Sequence, residues 1–483
     1  MNPLFEFAEN KNSRKNSVFI VHGKEEISYS EFDKLVNSCA SFLKESGIKK
    51  GDHIAIIDDN NPDFILIVFS IWKLKAVPVP VNIKLLPKEI EEQIGFADCK
   101  YVLISKYLNI KIKYPNVICF PFKDNKRKKT SSKKPAYNKN ETALIMFTSG
   151  SSGNSKGVIL TFNNLIQSAR IGNKVLNQNE KDRWLASLPF YHIGGFSIFI
   201  RAYLSGASVI IPKSLSTNEI ISAVKKFKPT LASFVSTQLK RLIEKNVKPN
   251  KELKNILIGG GFTSEELSIK AVKKGWRITK VYGSTEVSSF VSAIIYTDIP
   301  DKPGSSGKAL YPNKIKIVNE NIEYLPADFA GEIIVNSPAL MKGYYKDPEA
   351  TSAKIKNKFF YTGDIGCLDN EGYLFVEARR DDLIISGGEN IIPKEVESAV
   401  LKHPYIKDAL VLGIKNEEWG QEVSAVISLK KNKKVNRAEL KEFLKDKLPG
   451  YKIPRKIFFI DKIPKTSLGK VRKEKLLKLF KQI

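Results

Sequence analysis

Between Ser17 and Val81, short β-like runs (SVFIVHG, HIAIID, AVPVPV) alternate with amphipathic helical stretches (SYSEFDKLVNSCASFLKE, FILIVFSIWKLK). That rhythm marks a sheet covered by helices, because an apolar strand must bury its faces and an amphipathic helix has one apolar stripe to offer. The pattern returns in TALIMFTSG, LASLPFYHIGGFSIFIRAYLSG, SVIIP, TLASFVS, NILIGGG and ITKVYG. Several of these runs end in glycine-rich or polar turns. Open α/β sheets bind ligands at the carboxyl ends of their strands, so a nucleotide crevice is expected there. From Asp301 to Glu377 the texture changes to short strands and turns (KIKIV, GEIIVNSP, GYLFVE), and after Arg379 a last segment mixes helix and strand signals. The expectation is an α/β fold, with a large multi-sheet α/β domain and β-rich subdomain over 1–380 and a small α+β domain over 381–483.

At 483 residues the chain is too long for one ordinary core. Its 42% hydrophobic and 27% charged residues place it among globular rather than disordered chains. Met1–Asn16 holds no apolar stretch of signal-peptide length, and no run reaches the roughly 18 apolar residues of a membrane crossing, so a cytoplasmic protein is expected. Cys39, Cys99, Cys119 and Cys367 lie far apart without a CxxC pair, which argues against a zinc site and a disulfide framework. A net charge of +28 raises the question of a nucleic-acid partner. The excess is mainly lysine spread along the whole chain, and its densest run, Lys123–Lys134, has neither interleaved aromatics nor a helical apolar stripe. It reads as an exposed loop, and no nucleic-acid partner is expected; a positive surface also helps to capture small polyanions.

The strongest local signal is the run Thr148, Ser149, Gly150, Ser151, Ser152, Gly153, Asn154, Ser155, Lys156, Gly157, which leaves the apolar run ALIMF. Glycines let backbone N–H groups converge on phosphate oxygens, hydroxyls add donors, and Lys156 supplies positive charge. It is not a Walker A loop, which needs Gly before the lysine and Ser or Thr after it; here Ser155 precedes Lys156 and Gly157 follows.

This loop resembles the phosphate-binding signature of the adenylate-forming superfamily, which includes acyl-CoA ligases, luciferases and the adenylation domains of peptide synthetases. The family's other motifs follow in order, so the resemblance runs from about Phe7 to Lys475. Tyr282-Gly283-Ser284-Thr285-Glu286 resembles the second signature, in which the tyrosine stacks on adenine and the glutamate holds Mg²⁺. Gly259-Gly260-Gly261 resembles the segment lining the other adenine face, although glycine runs after strands are also ordinary turns. Tyr361-Thr-Gly-Asp364 resembles the third signature, whose aspartate accepts both ribose hydroxyls; alone it would pass for a β-turn. Arg379 onward (RRDDLIISGGEN) resembles the interdomain segment, which implies a ribose contact for Arg379 and a hinge at Asp381 about which a mobile small domain turns. Ala378 stands where the family usually has glycine, a departure that matters only if that position needs positive φ. Pro464–Lys473 (PKTSLGKVRK) resembles the C-terminal motif and makes Lys470 the catalytic lysine.

The resemblance thus implies ATP and Mg²⁺, with Thr148 and Glu286 as the metal's protein contacts and coenzyme A as co-substrate. Attack of a carboxylate on the α-phosphorus of ATP brings anions together, so positioned cations supply the acceleration and no general base is needed. In the thiolation step the family rotates its small domain, bringing in the glycine loop, here Ser386-Gly387-Gly388-Glu389.

The segment Leu188–Arg201 (LPFYHIGGFSIFIR) bears on the acid. His192 matches a family position beside the acyl site that helps to gate it, although a lone histidine is often structural. Arg201 stands in an apolar stretch, where a charge is costly without a partner. It either reaches the surface or a structural acid, or it binds a second carboxylate of the substrate through its guanidinium fork. This segment, with the GGG and ISGGEN wording, is most similar to the o-succinylbenzoate:CoA ligase branch of menaquinone biosynthesis, which implies that Arg201 holds the benzoate carboxylate. Ser233, Ser288 and Ser289 are further candidates near the acyl pocket. Other aryl- or fatty-acyl-CoA ligases, or an adenylation protein that loads a carrier thiol, are the alternatives.

Overall fold

The computed structural model describes residues 16–120, 138–148, 155–261, 263–296, 302, 304–379, 384–386, 389–416, 420–448, 450–465, 471 and 476, with backbone alone for 378, 379, 385, 389, 390 and 420. It divides into two compact units. One comprises Met1–Lys314 and Val335–Phe360, the other Ile315–Ile334 and Tyr361–Ile483. The short-strand region after Asp301 is thus shared between the units, and the chain passes between them within the strands Gly331–Asn336 and Phe359–Leu368.

The first unit is built on a nine-stranded sheet, ordered Lys308–Ala309, Ser292–Ile295, Ile278–Tyr282, Asn255–Ile258, Leu231–Phe234, Arg183–Leu185, Ser208–Ile211, Val18–His22, Glu25–Ser28. The strands from Ile278–Tyr282 to Val18–His22 are parallel, and antiparallel strands close both edges. Parallel strands need both faces covered. On one face Leu185, Ala232, Phe234, Ile256, Ile258 and Ile278 join Leu239, Leu242 and Trp276 in a buried cluster. Trp184 and Ser233 alternate to the other face, where the Trp184 indole N–H donates to Ser233 Oγ at 3.3 Å.

Over that face lies helix Ile193–Ser205, buried on nearly all sides and ended by Gly206 in the left-handed region at φ 79°. Its sequence has no polar face, so helical periodicity gives no signal there and only burial distinguishes it from a strand. Helix Tyr29–Glu45 starts where Ser28 accepts from the Glu31 N–H, and helix Pro62–Lys73 where Asn61 accepts from Phe64. A parallel four-stranded sheet, ordered Val77–Pro80, His53–Ile57, Cys99–Ser105, Val117–Phe120, makes a further layer.

In the second unit Ile406–Asn416 and Gly420–Leu429 form a long antiparallel pair, joined by Ile384–Ser386, Glu389–Ile391 and Lys456–Phe459. Helices Pro393–Leu401 and Arg437–Lys445 cover one face through Val396, Val400, Leu440 and Leu444. The architecture is therefore α/β in the larger unit with an α+β C-terminal part. All four cysteines are unpaired, and among the described residues no helix is long and apolar enough to cross a membrane. Lys123–Lys134 lies outside the described residues.

Candidate active site

Thr148 and Lys156 face each other across an antiparallel pair, Thr142–Thr148 against Lys156–Thr161, so the hydroxyl- and glycine-rich run is the connection of a hairpin. A crevice at the end of a parallel strand, expected from the sequence, is not what carries it. The Thr148 hydroxyl donates to the Lys156 carbonyl at 3.5 Å, and the Ser155 hydroxyl accepts from Gln93 Nε2 at 3.0 Å. Ser149, Gly150, Ser151, Ser152 and Gly153 lie outside the described residues.

The other two nucleotide motifs of this unit do sit at parallel strand ends. Ile258 pairs with Lys280, so Gly259–Gly261 and Tyr282–Glu286 leave neighbouring strands at the same edge. Gly283 admits no side chain, since a Cβ there would stand 1.9 Å from the Ser289 carbonyl oxygen. Thr285–Val287 forms a single 3₁₀ turn that carries Glu286. Among the described residues the buried Ser284 hydroxyl oxygen has no hydrogen-bond partner, which suits a ligand arriving at this turn.

A third strand, Gly343–Tyr344, pairs with the hairpin and joins its base to Glu286. The Tyr344 hydroxyl donates to Glu286 Oε1 at 3.0 Å, and the Met341 N–H donates to the Glu286 carbonyl at 2.6 Å. Lys156 Nζ lies 5.0 Å from the Tyr344 ring centroid and 3.5 Å from Asp347 Oδ2. The structure therefore brings Lys156 and Glu286 together around one phenol. Sequence reasoning missed Tyr344, whose only signal was an aromatic pair amid turn residues. A carboxylate and a threonine hydroxyl are hard oxygen ligands that fit Mg²⁺, which takes its remaining ligands from phosphates and water. Among the described residues no three His, Cys, Asp or Glu side chains gather as a metal cage, and a shared magnesium ion requires none.

Arg201 lies on the buried helix and is 1% exposed. It does not reach the surface, and among the described residues it has no ion-pair partner. Its Nη2 donates to Ser289 Oγ at 3.0 Å, its Nε has no partner among the described residues, and its guanidinium carbon lies 4.5 Å from the Phe290 ring centroid and 5.6 Å from that of Trp184. Burial pushes the guanidinium down to about 9. Gly172 makes the space: a Cβ there would meet Arg201 Nε at 2.8 Å. Of the three serines, Ser289 touches Arg201, Ser233 holds Trp184, and Ser288 donates to the Ala339 carbonyl at 2.8 Å, fixing the backbone behind Ser289.

His192 precedes that helix, and burial, with Lys84 adding repulsion, pushes its imidazole down to about 4, so it is neutral at physiological pH. The loop carrying it is clamped by buried Asn60, whose Nδ2 donates to the Leu188 carbonyl at 2.8 Å and whose Oδ1 accepts from the Phe190 N–H at 2.8 Å. Asn60 also escaped the sequence reading; its trace was a polar run, DDNN, ending an apolar strand.

Within the second unit, Asp364 faces Arg379 across the antiparallel strands Phe359–Leu368 and Leu374–Arg379. Ala378 pairs with Ile365 in that extended strand, a conformation that alanine accepts. Ser386 is buried and pairs with Glu389 at the tip of a short hairpin. Asp381, Gly387, Gly388 and Lys470 lie outside the described residues.

A parallel sheet with nucleotide-type turns at its strand ends, beside a hydroxyl- and glycine-rich hairpin, defines a nucleotide-dependent class. The chain belongs to the AMP-binding enzyme family: residues 7–345 match its model, and residues 395–470 match the AMP-binding enzyme C-terminal domain. The 2-succinylbenzoate–CoA ligase of Geobacillus kaustophilus is 32% identical over 473 residues, covering 96% of this chain and 95% of that one. Among solved structures, the o-succinylbenzoate CoA synthetase of Bacillus subtilis in complex with the acyl-adenylate intermediate OSB-AMP matches with a TM-score of 0.88 at 30% identity, over 98% of this chain and 97% of that one. The same Bacillus subtilis enzyme in complex with ATP and magnesium ion matches with a TM-score of 0.88 at 30% identity, over 99% of each chain.

Proposed function

We propose that this chain is an AMP-forming acid–thiol ligase that converts 2-succinylbenzoate, ATP and CoA to 2-succinylbenzoyl-CoA, AMP and diphosphate. The observation that carries the acid's identity is Arg201: a guanidinium buried among Trp184, Phe290 and Gly172, with a serine hydroxyl and, among the described residues, no carboxylate beside it. A dry, uncompensated cation favours an anion that arrives with the substrate, and the aromatic carboxylate of 2-succinylbenzoate supplies one while the succinyl carboxylate reacts.

In the first half-reaction a succinyl carboxylate oxygen attacks the α-phosphorus in line and diphosphate leaves. Thr148, the loop Ser149–Gly153 and Lys156 hold phosphates; Gly259–Gly261 and Tyr282–Thr285 enclose adenine; Asp364 and Arg379 take the ribose. Glu286 and Thr148 would hold Mg²⁺, which when bound would neutralise phosphate charge, and Lys470 stabilises charge on the reacting phosphoryl group. Neutral His192 borders the acyl site. In the second half-reaction the CoA sulfur attacks the acyl carbonyl and AMP leaves, after the domain 381–483 turns at Asp381 against 1–380 and Ser386–Glu389 replaces Lys470 at the site. Such a reaction belongs in the cytoplasm, with small molecules as its partners.

The test is CoA-dependent AMP release across a panel of acids: 2-succinylbenzoate, benzoate, 4-phenylbutyrate and octanoate. The expected result is strong preference for the dicarboxylate. Equal or better use of a monocarboxylate would overturn the substrate assignment. Acid-dependent ATP–diphosphate exchange without any use of free CoA would instead identify a carrier-loading enzyme.

A further inference from the structure

We propose that Tyr344 is a positioning residue that sets the spacing of the Glu286 carboxylate and the Lys156 ammonium, and with it the concentration of Mg²⁺ at which ATP binds. This rests on Glu286 being the magnesium-binding carboxylate. Tyr344 is buried, and its two faces of chemistry are both engaged: the hydroxyl donates to Glu286 Oε1 at 3.0 Å, and Lys156 Nζ lies 5.0 Å from its ring centroid.

The residue is held from several directions. Its strand pairs with the phosphate hairpin through Tyr344 opposite Val158 and Gly343 opposite Ile159. The Tyr344 N–H donates to Thr351 Oγ1 at 2.9 Å, and that hydroxyl donates to the Asp347 carbonyl at 2.8 Å. Asp347 caps helix Pro348–Lys354 with Oδ1, accepting from the Ala350 N–H at 2.9 Å, while its Oδ2 faces Lys156 at 3.5 Å. One short segment thus fixes both the carboxylate and the ammonium.

A carboxylate that ligates a metal through one oxygen keeps its orientation when a fixed donor holds it, and outer-shell donors of this kind govern metal affinity by about 10- to 100-fold. A side chain serving only the packing of the hairpin would leave the magnesium dependence unchanged. Removing the hydroxyl while keeping the ring separates the two.

The experiment measures ATP binding by calorimetry across a Mg²⁺ titration, without turnover, for the parent chain, Tyr344→Phe, Tyr344→Leu, Glu286→Gln and the double variant Glu286→Gln with Tyr344→Phe. Tyr344→Phe is expected to raise the Mg²⁺ midpoint about tenfold and to leave ATP affinity in EDTA within about twofold of the parent. Tyr344→Leu, which also removes the ring from Lys156, should weaken ATP binding in EDTA by a further factor of about three. In the Glu286→Gln background, Tyr344→Phe should add nothing to the midpoint. A Tyr344→Phe titration coinciding with the parent's, or an equal shift in the Glu286→Gln background, overturns the proposal. If Glu286→Gln itself leaves the midpoint in place, the magnesium role of Glu286 falls, and the role of Tyr344 with it.

Discussion

Lys156 and Arg201 are both cations, proposed above to meet phosphate and substrate carboxylate respectively, but their surroundings differ sharply. Lys156 is 36% exposed and has an acid, Asp347, beside it before any phosphate arrives. Arg201 is enclosed by rings and a glycine face, and among the described residues its guanidinium has one neutral hydrogen-bond partner. Water and an exchangeable partner moderate charge at the first site, so a phosphate bound there as proposed would be shared among several groups with no one of them dominant. At the second, low polarity magnifies a single interaction. The phosphate side is therefore suited to a ligand common to many enzymes, and the acyl side to discrimination between acids.

The largest expected effect tests whether catalysis depends on a third cation: Lys470→Ala should lower acyl-adenylate formation about 10³-fold or more while ATP affinity changes little. Single-turnover acyl-adenylate formation and ATP binding measure the two. Unchanged adenylation would return the catalytic burden to Lys156 and break the contrast.

Next comes Arg201→Met, of similar volume and without charge. Activity with 2-succinylbenzoate should fall about 10²- to 10³-fold because the ligand's carboxylate would be buried unpaired, while any use of monocarboxylates persists. The variant should melt no lower than the parent, since a desolvated charge has been removed. Kinetics with both acid classes and thermal melts decide the matter; a marked drop in melting temperature would make Arg201 structural.

His192 extends the dry side. Its pKa in the fold, about 4, lies below the ordinary value of 6.5, so below pH 6.5 the unfolded chain takes up a proton that the folded chain refuses. The sign is definite: its contribution is fully present above pH 6.5 and is lost as pH falls through 4, by up to about 3 kcal/mol. His192→Gln should flatten the stability profile over that window in urea titrations, and an unaltered profile would place the histidine in water.

The smallest effect belongs to the wet side. Asp347→Asn keeps a helix-capping oxygen but removes the charge facing Lys156, so stability should change by less than about 1 kcal/mol and ATP should bind up to about fivefold more tightly. Isothermal titration at two salt concentrations checks this, with the gain shrinking in the higher salt. A change as large as that of Arg201→Met would erase the distinction between the corners.

Legibility follows the same divide. Apolar runs such as HIAII and NILI became strands because their burial and their turns are local, and the nucleotide motifs fell at strand ends or a hairpin base for the same reason. Helix Ile193–Ser205 was harder to read, because a segment buried all round leaves no periodic trace. Tyr344 was invisible, as its partner Glu286 is 58 residues away, and Asn60 holds a loop 128 residues away. Asp364 and Arg379, 15 residues apart in the chain, were named separately, and only strand register set them opposite one another.

By itself the sequence determined the chemistry this chain has to offer: a glycine- and hydroxyl-rich loop with its lysine, an aromatic and a carboxylate close together in the chain, and an arginine among apolar residues. Those are properties of side-chain type and short spacing. Tertiary structure alone decided which charges are already answered. Lys156 found Asp347 and Tyr344, whereas Arg201 met rings, a serine and the bare face of Gly172. Whether a charge has a partner depends on residues far apart in the chain, and on how much water their packing leaves between them.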